Sequence, residues 1–287
     1  RKVPDMAFIT ECNNRLWGCS KDGHEIYCCK LGDVKNWYVY DGISTDSYAV
    51  TIGSDGKFTG AITYLGYPMF FKEDGLIKIS VSGSGAHQTK ETKCRGVQRG
   101  SENSLAIVNE TLFYKSTTGI VAYSGSLPVS VSDDLGEVRY YDAVGSNIDD
   151  RYYISMKDTE GVYHLFVYDS AKGMWHREDN TQADAFCSCR GELYAIDHNS
   201  KNIITMLGSG TIDSGDVEWM VETGEIGISS PDMKYVSRLT TRMSMDIGSE
   251  VRFFAQYDFS DEWEHLGTIQ STNLRSFSIP IRPKRCD

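Results

Sequence analysis

Carboxylates, thiols and imidazoles are the side chains here that could do chemistry, and their spacing decides which chemistry. Two acidic pairs, Asp133-Asp134 and Asp149-Asp150, could act as general acid and base on a glycosidic bond if they faced one another across a pocket. Both lie in polar, turn-rich segments, where Asp closes turns and carries solubilising charge, and that is the stronger reading. The stretch from Ser20 through Asp22 to Tyr27 (SKDGHEIY) imitates the sialidase Asp box, Ser-x-Asp-x-Gly-x-x-Trp, but its glycine is displaced and the tryptophan is missing.

Eight cysteines, at 12, 19, 28, 29, 94, 187, 189 and 286, contain no C-x-x-C knuckle. Adjacent Cys28 and Cys29 and alternate Cys187 and Cys189 suit strand positions. Reduced, packed thiols are the leading reading, disulfides the second and a metal the third. The six histidines are scattered singly, without the paired spacing of zinc sites. No G-x-S-x-G elbow, H-E-x-x-H pair or phosphate-binding loop occurs, and the single sequon at Asn109 falls in a hairpin turn. The residues therefore point to a protein that is not an enzyme, with no cofactor and no metal.

The elements that must carry these side chains are strands. Residues 14–41 (NRLWGCSKDGHEIYCCKLGDVKNWYVYD) read as a strand at 15–19, a Lys-Asp-Gly turn, a strand at 25–29, a Gly-Asp loop and a third apolar strand at 37–40. The run at 6–11, separated by the turn-forming pair Asn13-Asn14, supplies an innermost strand. The unit returns at 67–79 (YPMFFKEDGLIKI), 111–123 (TLFYKSTTGIVAY), 151–169 (RYYISMKDTEGVYHLFVYD) and 192–205 (ELYAIDHNSKNIIT). Aligning Trp17, Phe70, Phe113, Tyr153 and Tyr194 gives offsets of 53, 43, 40 and 41 residues, the spacing of one four-stranded β-propeller blade per repeat. Runs at 58–65, 104–109, 141–146 and 183–189 fill the innermost positions, so five blades are marked. Seventeen Tyr, 27 Gly and six Pro fit an all-β chain with tight turns.

Between the repeats, residues 47–55 lead into blade two, and Gly60 inside a strand marks a crowded inner strand. Residues 80–96 (SVSGSGAHQTKETKCRG) form a polar connection, long for a blade, and are a candidate contact loop. From 216 onward the strands at 236–245, 251–259 and 276–281 are longer and alternate charged with apolar residues, as in a sheet open to solvent on one face. They predict a C-terminal antiparallel sheet, either a sixth blade or a small sandwich. The expected domains are 1–215 and 216–287, with residues 1–10 available to close the ring. A net charge of −11 argues against nucleic acid as the main ligand while leaving room for a local basic patch. No run approaches eighteen apolar residues. The chain starts at Arg1 and stops at Asp287, and reads as a fragment of something longer, so a missing targeting segment says little.

Several phrases carry a family resemblance: NRLWGCSKDGHEIYCCKLGDVKNW, STDSYAVTIGSDGKFTGAITYLGYPMFFKEDGLIKI, CRGVQRGSENSLAIVNETLFYKSTTGIVAYSGSLP, YHLFVYDSAKGMWHRED and WMVETGEIGISSPDMKYVSRL. Over most of its length the chain resembles tail or head-to-tail structural proteins of phages and prophages of gram-positive bacteria. In architecture these are similar to the propeller-containing tail-connector and tail-stabilisation proteins of short-tailed phages. The resemblance implies a virion part, made in a bacterial cytoplasm and docked in several copies against portal, adaptor or tail components. Family members usually continue past the equivalent of Arg285. The expected contact residues are Lys93, Arg95, Gln98 and Arg99 in the long loop, with Trp219 and Trp263 as aromatic anchors. A different reading is a glycan-binding propeller stacking Trp37, Tyr38 and Tyr40 on sugar rings, and a glycoside hydrolase ranks third.

Overall fold

Each repeat begins with a two-residue turn. Asn13 and Asn14 have φ of 54° and 58°, Leu65 and Gly66 48° and 77°, Asn109 and Glu110 45° and 62°, and Arg190 and Gly191 54° and 81°. Paired positive φ is the turn whose twist matches a right-handed two-stranded ribbon, so it joins strands without splaying them. At Asp149-Asp150, which joins the first two strands of the fourth sheet, Asp149 alone has a positive φ, 47°.

The computed structural model describes residues 3–81, 86–207, 219–224, 226, 234–245, 247–258, 260–270 and 276–286. The chain divides into two units, Arg1–Ile212 and Asp213–Asp287; the boundary expected at 215/216 lies outside the described residues. In the first unit β1 (Met6–Cys12), β2 (Arg15–Ser20), β3 (Glu25–Cys28) and β4 (Tyr48–Thr51) form one antiparallel meander. The second contains β5 (Gly60–Tyr64), β6 (Tyr67–Lys72), β7 (Gly75–Val81) and β8 (His87–Lys93). The third contains β9 (Ala106–Val108), β10 (Thr111–Ser116), β11 (Gly119–Tyr123) and β12 (Val129–Ser130). The fourth contains β13 (Tyr141–Ile148), β14 (Arg151–Lys157), β15 (Tyr163–Asp169) and β16 (Met174–Asp179). A fifth sheet has three strands among the described residues, β17 (Ala183–Cys189), β18 (Glu192–Asp197) and β19 (Ile203–Thr205). Two short 3-10 turns, Glu102–Ser104 and Asp133–Leu135, are the helical elements among the described residues. No helix there is long and apolar enough to cross a membrane.

These meanders are the blades of a β-propeller, packed face to face through four cores. Strand alternation explains how one strand serves two cores. On β6, Phe70 points to the core shared with the first sheet, beside Trp17, Ile26 and Cys28, while Met69 and Phe71 point to the core shared with the third. On β10, Leu112 and Tyr114 face the second sheet and Phe113 faces the fourth. On β14, Tyr152, Ile154 and Met156 face back and Tyr153 faces the fifth sheet. Each such side chain, fully removed from water, contributes about 1.5–3 kcal/mol.

All five aligned aromatics lie on the second strand of their sheets, with one slip of register. Trp17, Phe113, Tyr153 and Tyr194 are third after the turn, whereas Phe70 is fourth and faces the opposite way. Met69 holds the equivalent position, because a one-residue shift in a strand inverts its faces.

Two other expectations are corrected. Residues 37–40 are not a strand; the fourth strand of the first sheet is β4, within the segment expected to lead into blade two. Much of the polar connection 80–96 is β8, an outer strand paired along its whole length with β7. β1 is hydrogen-bonded to β2 alone among the named strands.

In the second unit β20 (Lys234–Arg242) pairs with β23 (Ser276–Cys286), and β21 (Glu250–Ala255) with β22 (Glu264–Gln270). Among the described residues this unit is thus two antiparallel ribbons rather than one four-stranded sheet. β22 lies on β23 where Gly267 leaves room for Ile279, whose Cγ2 would stand 3.1 Å from a β-carbon at 267. Ile269, Ile279 and Ile281 are buried, and β21 alternates exposed and half-buried residues as expected.

Candidate functional site

Among the named strands, the first strands β5, β9, β13 and β17 are each hydrogen-bonded on one side only, to the second strand of their own sheet. Together with the 3-10 turn Glu102–Ser104 they line a cavity of about 500 Å³ at the axis of the propeller. Ile62, Leu105, Ile107, Val144 and Phe186 supply apolar wall. Glu102, Asn103, Ser146 and Asn147 supply polar groups, and Glu102 is the one acid among the described lining residues.

Glu102 is mounted on a rigid base. Ser101 and Ser104, on either side of it, are fully buried. Ser104 Oγ donates to the carbonyl of Ser101 at 2.6 Å and accepts the amide of Lys115 at 3.0 Å. Ser101 Oγ accepts the amide of Ala143 at 3.0 Å, and the Tyr152 hydroxyl donates to the carbonyl of Ser104 at 2.6 Å. Tyr152 reaches that far because Gly145 has no side chain; a β-carbon there would lie 2.9 Å from its hydroxyl. The turn that carries Glu102 is therefore tied to β10, β13 and β14 together.

Edge strands offer backbone donors and acceptors, apolar side chains offer a dry wall, and one carboxylate offers a counter-charge. Such an arrangement can accept an extended chain by strand addition, with Glu102 as the counter-charge for a cationic side chain. Among its described lining residues no second carboxylate stands beside Glu102 as the pair used in glycoside hydrolysis would.

The acidic pairs are turn formers. Asp133 Oδ1 accepts the Ser130 hydroxyl at 2.6 Å inside a 3-10 turn. Asp150 Oδ1 accepts Nδ2 of Asn109 at 2.7 Å, which links the turns that open the third and fourth blades. In the Asp-box imitation, Asp22 is bonded to the Ser20 hydroxyl and accepts the amide of His24 at 3.1 Å. Those bonds hold its carboxyl below the usual carboxylate range. Among the described residues no three His, Cys, Asp or Glu side chains come together to hold a metal. Cys12, Cys19, Cys28, Cys29, Cys94, Cys187 and Cys189 are free.

The expected contact residues separate. Lys93, Arg95 and Arg99 are exposed. Gln98 is not a surface contact: it is 8% exposed, and its Oε1 accepts the Lys115 ammonium at 2.8 Å. Its loop is packed because Gly96 lies so close to β6 that a β-carbon would stand 1.8 Å from the carbonyl of Lys72, and because Val97 is fully buried. Trp219 and Trp263 are 62% and 51% exposed, so neither fills a core. Of the proposed sugar platform, Tyr38 and Tyr40 are exposed but Trp37 is 2% exposed, its indole N–H donating to the carbonyl of Val34 at 2.8 Å. That ring has no free face for a sugar. The cavity is not evident from the sequence; its signal there is the small residues Ala61 and Gly145 on first strands.

No protein-family model matches the chain, and no curated protein matches it. Among solved structures, apo AztD from Citrobacter koseri is similar at 12% identity and TM-score 0.45, over 98% of this chain and 76% of that one. Kluyveromyces lactis Hsv2 is similar at 13% identity and TM-score 0.43, over 94% and 88%. BamB from Moraxella catarrhalis is similar at 16% identity and TM-score 0.43, over 71% of this chain and 57% of BamB.

Proposed function

We propose that this chain is a non-enzymatic, protein-binding propeller that serves as a structural component of a phage particle, in the tail or head-to-tail connector region. The observation that carries the binding role is the axial cavity, with edge strands for walls and Glu102 as its charge. It suits an extended, basic segment of a partner protein better than a reacting substrate. The phrase-level resemblance to phage and prophage structural proteins supplies the setting: portal, adaptor or tail components as neighbours, several copies per particle, and location in the virion. Exposed Lys93, Arg95 and Arg99, with Trp219 and Trp263, are the contact candidates outside the cavity.

The test is a photo-crosslinking amino acid placed at Ile62 or Asn147 in cells that are assembling particles. Covalent capture of a particle protein at these positions, and its loss with Glu102→Lys, is the expected result. Particles that assemble normally without any such adduct would contradict it.

A further inference from the structure

Charge in the second unit is segregated by strand. Neither β20 (KYVSRLTTR) nor β23 (SFSIPIRPKRC) contains an acid, yet together they hold Lys234, Arg238, Arg242, Arg282, Lys284 and Arg285. Their pairing assigns the faces. Arg238 lies opposite Pro280, Thr240 opposite Ser278 and Arg242 opposite Ser276, and residues directly opposed share a face. Leu239, Thr241, Phe277 and Ile279 occupy the other face, where Ile279 and Ile281 are buried. Arg282 follows buried Ile281 and is exposed, at the register shift between the pairs Val236–Lys284 and Arg238–Pro280.

The outer face is therefore exposed Arg238, Thr240 and Arg242 beside exposed Ser276, Ser278 and Arg282. Arg238 and Arg242 are four residues apart, about 13 Å along the strand. Among the described residues no acidic side chain pairs with any of these three guanidiniums. By contrast Arg252, on β21, is held by Glu250 at 2.7 Å.

Guanidinium and hydroxyl donors without carboxylates are the groups that contact phosphodiester oxygens. A two-stranded antiparallel ribbon is also an element that the major groove of duplex DNA admits. We infer that the outer face of the β20·β23 ribbon is a docking surface for the phosphate backbone of duplex DNA. It reads no sequence, because its contacts are to phosphate. The occupant follows from charge complementarity: a polyanion of about one charge per 1.7 Å of axis meets three unpaired cations on a protein of net charge −11. The inference stands independently of the role proposed for the axial cavity.

Fluorescence anisotropy of the full chain with a labelled duplex, over about 50 to 200 mM salt, tests it. Three phosphate contacts predict a slope of log Kobs against log salt of about −2.7, a loss of about 40-fold across that range. Arg238→Gln and Arg282→Gln should each make the slope shallower by about one. Arg252→Gln, already neutralised by Glu250, should leave the slope unchanged. All four guanidiniums are exposed, and circular dichroism checks the fold of each variant. Equal loss with Arg252→Gln, a slope untouched by the ribbon variants, tighter binding to single-stranded than to duplex DNA, or ribbon variants that change self-association in place of DNA affinity would each overturn the inference.

Discussion

Lys115 donates its Nζ to Oε1 of Gln98 at 2.8 Å inside the propeller, and to the carbonyl of Ser116 at 2.5 Å, while its side chain is almost wholly buried. Burial pushes its pKa down to about 8. The folded state then carries a poorly hydrated cation below about pH 8, and the resulting penalty is fully present there. It is relieved as pH rises through 8 toward the unfolded value of about 10.4. Over that window, stability of the native chain relative to Lys115→Met should rise by up to about 3 kcal/mol. Urea unfolding of both proteins across the window measures the difference, which removes the opposing effect of buried thiols common to both. A difference independent of pH would show that the ammonium is hydrated in the folded state.

Arg15 organises the long loop of the first blade. Its guanidinium is 5% exposed and donates to the carbonyls of Asp46 and Ser44, each at 2.6 Å, and to that of Cys29 at 3.3 Å. Arg15→Ala leaves those acceptors unpartnered and should cost about 3 kcal/mol. Hydrogen exchange should rise through residues 29–47 and stay unchanged in the fourth blade.

Gly96 tests whether the loop carrying Gln98 is packed or free. Gly96→Ala sets a methyl against the Lys72 carbonyl and against the carbonyl of Gly75 at 2.7 Å. The clash is with backbone, so the expected loss is about 1–3 kcal/mol, read from the denaturant midpoint. A neutral effect would mean that the loop stands off from β6.

Thiol reactivity follows burial. Cys19 and Cys28 are fully buried and burial raises both to about 12, whereas Cys187 and Cys189 are exposed on β17. Iodoacetamide on the native protein at pH 8 should label Cys187 and Cys189 and spare Cys19 and Cys28, since only thiolate reacts. Peptide mass spectrometry gives the pattern, and labelling of all four at one rate would contradict this packing.

Blade repetition was legible because each second strand is sandwiched between two neighbours and must be apolar on both faces. YPMFF and TLFY announce that without help from context. The outer strand β8 was illegible for the opposite reason: HQTKETK has one side toward water and no large apolar residue to show its period. Residues 37–40 misled because NWYVY has strand composition, yet Trp37 is buried from a loop through its bond to Val34. The cavity left little trace, since its walls are assembled from four sheets and depend on small residues whose role appears only once Tyr152 and Leu105 are in place.

The most direct test of the account is quantitative mass spectrometry of purified phage particles, induced from the bacterium that encodes this chain, with the polypeptide measured against the capsid protein. A fixed ratio of several copies per particle, constant between preparations, is the predicted result. Complete particles that lack the chain would contradict it.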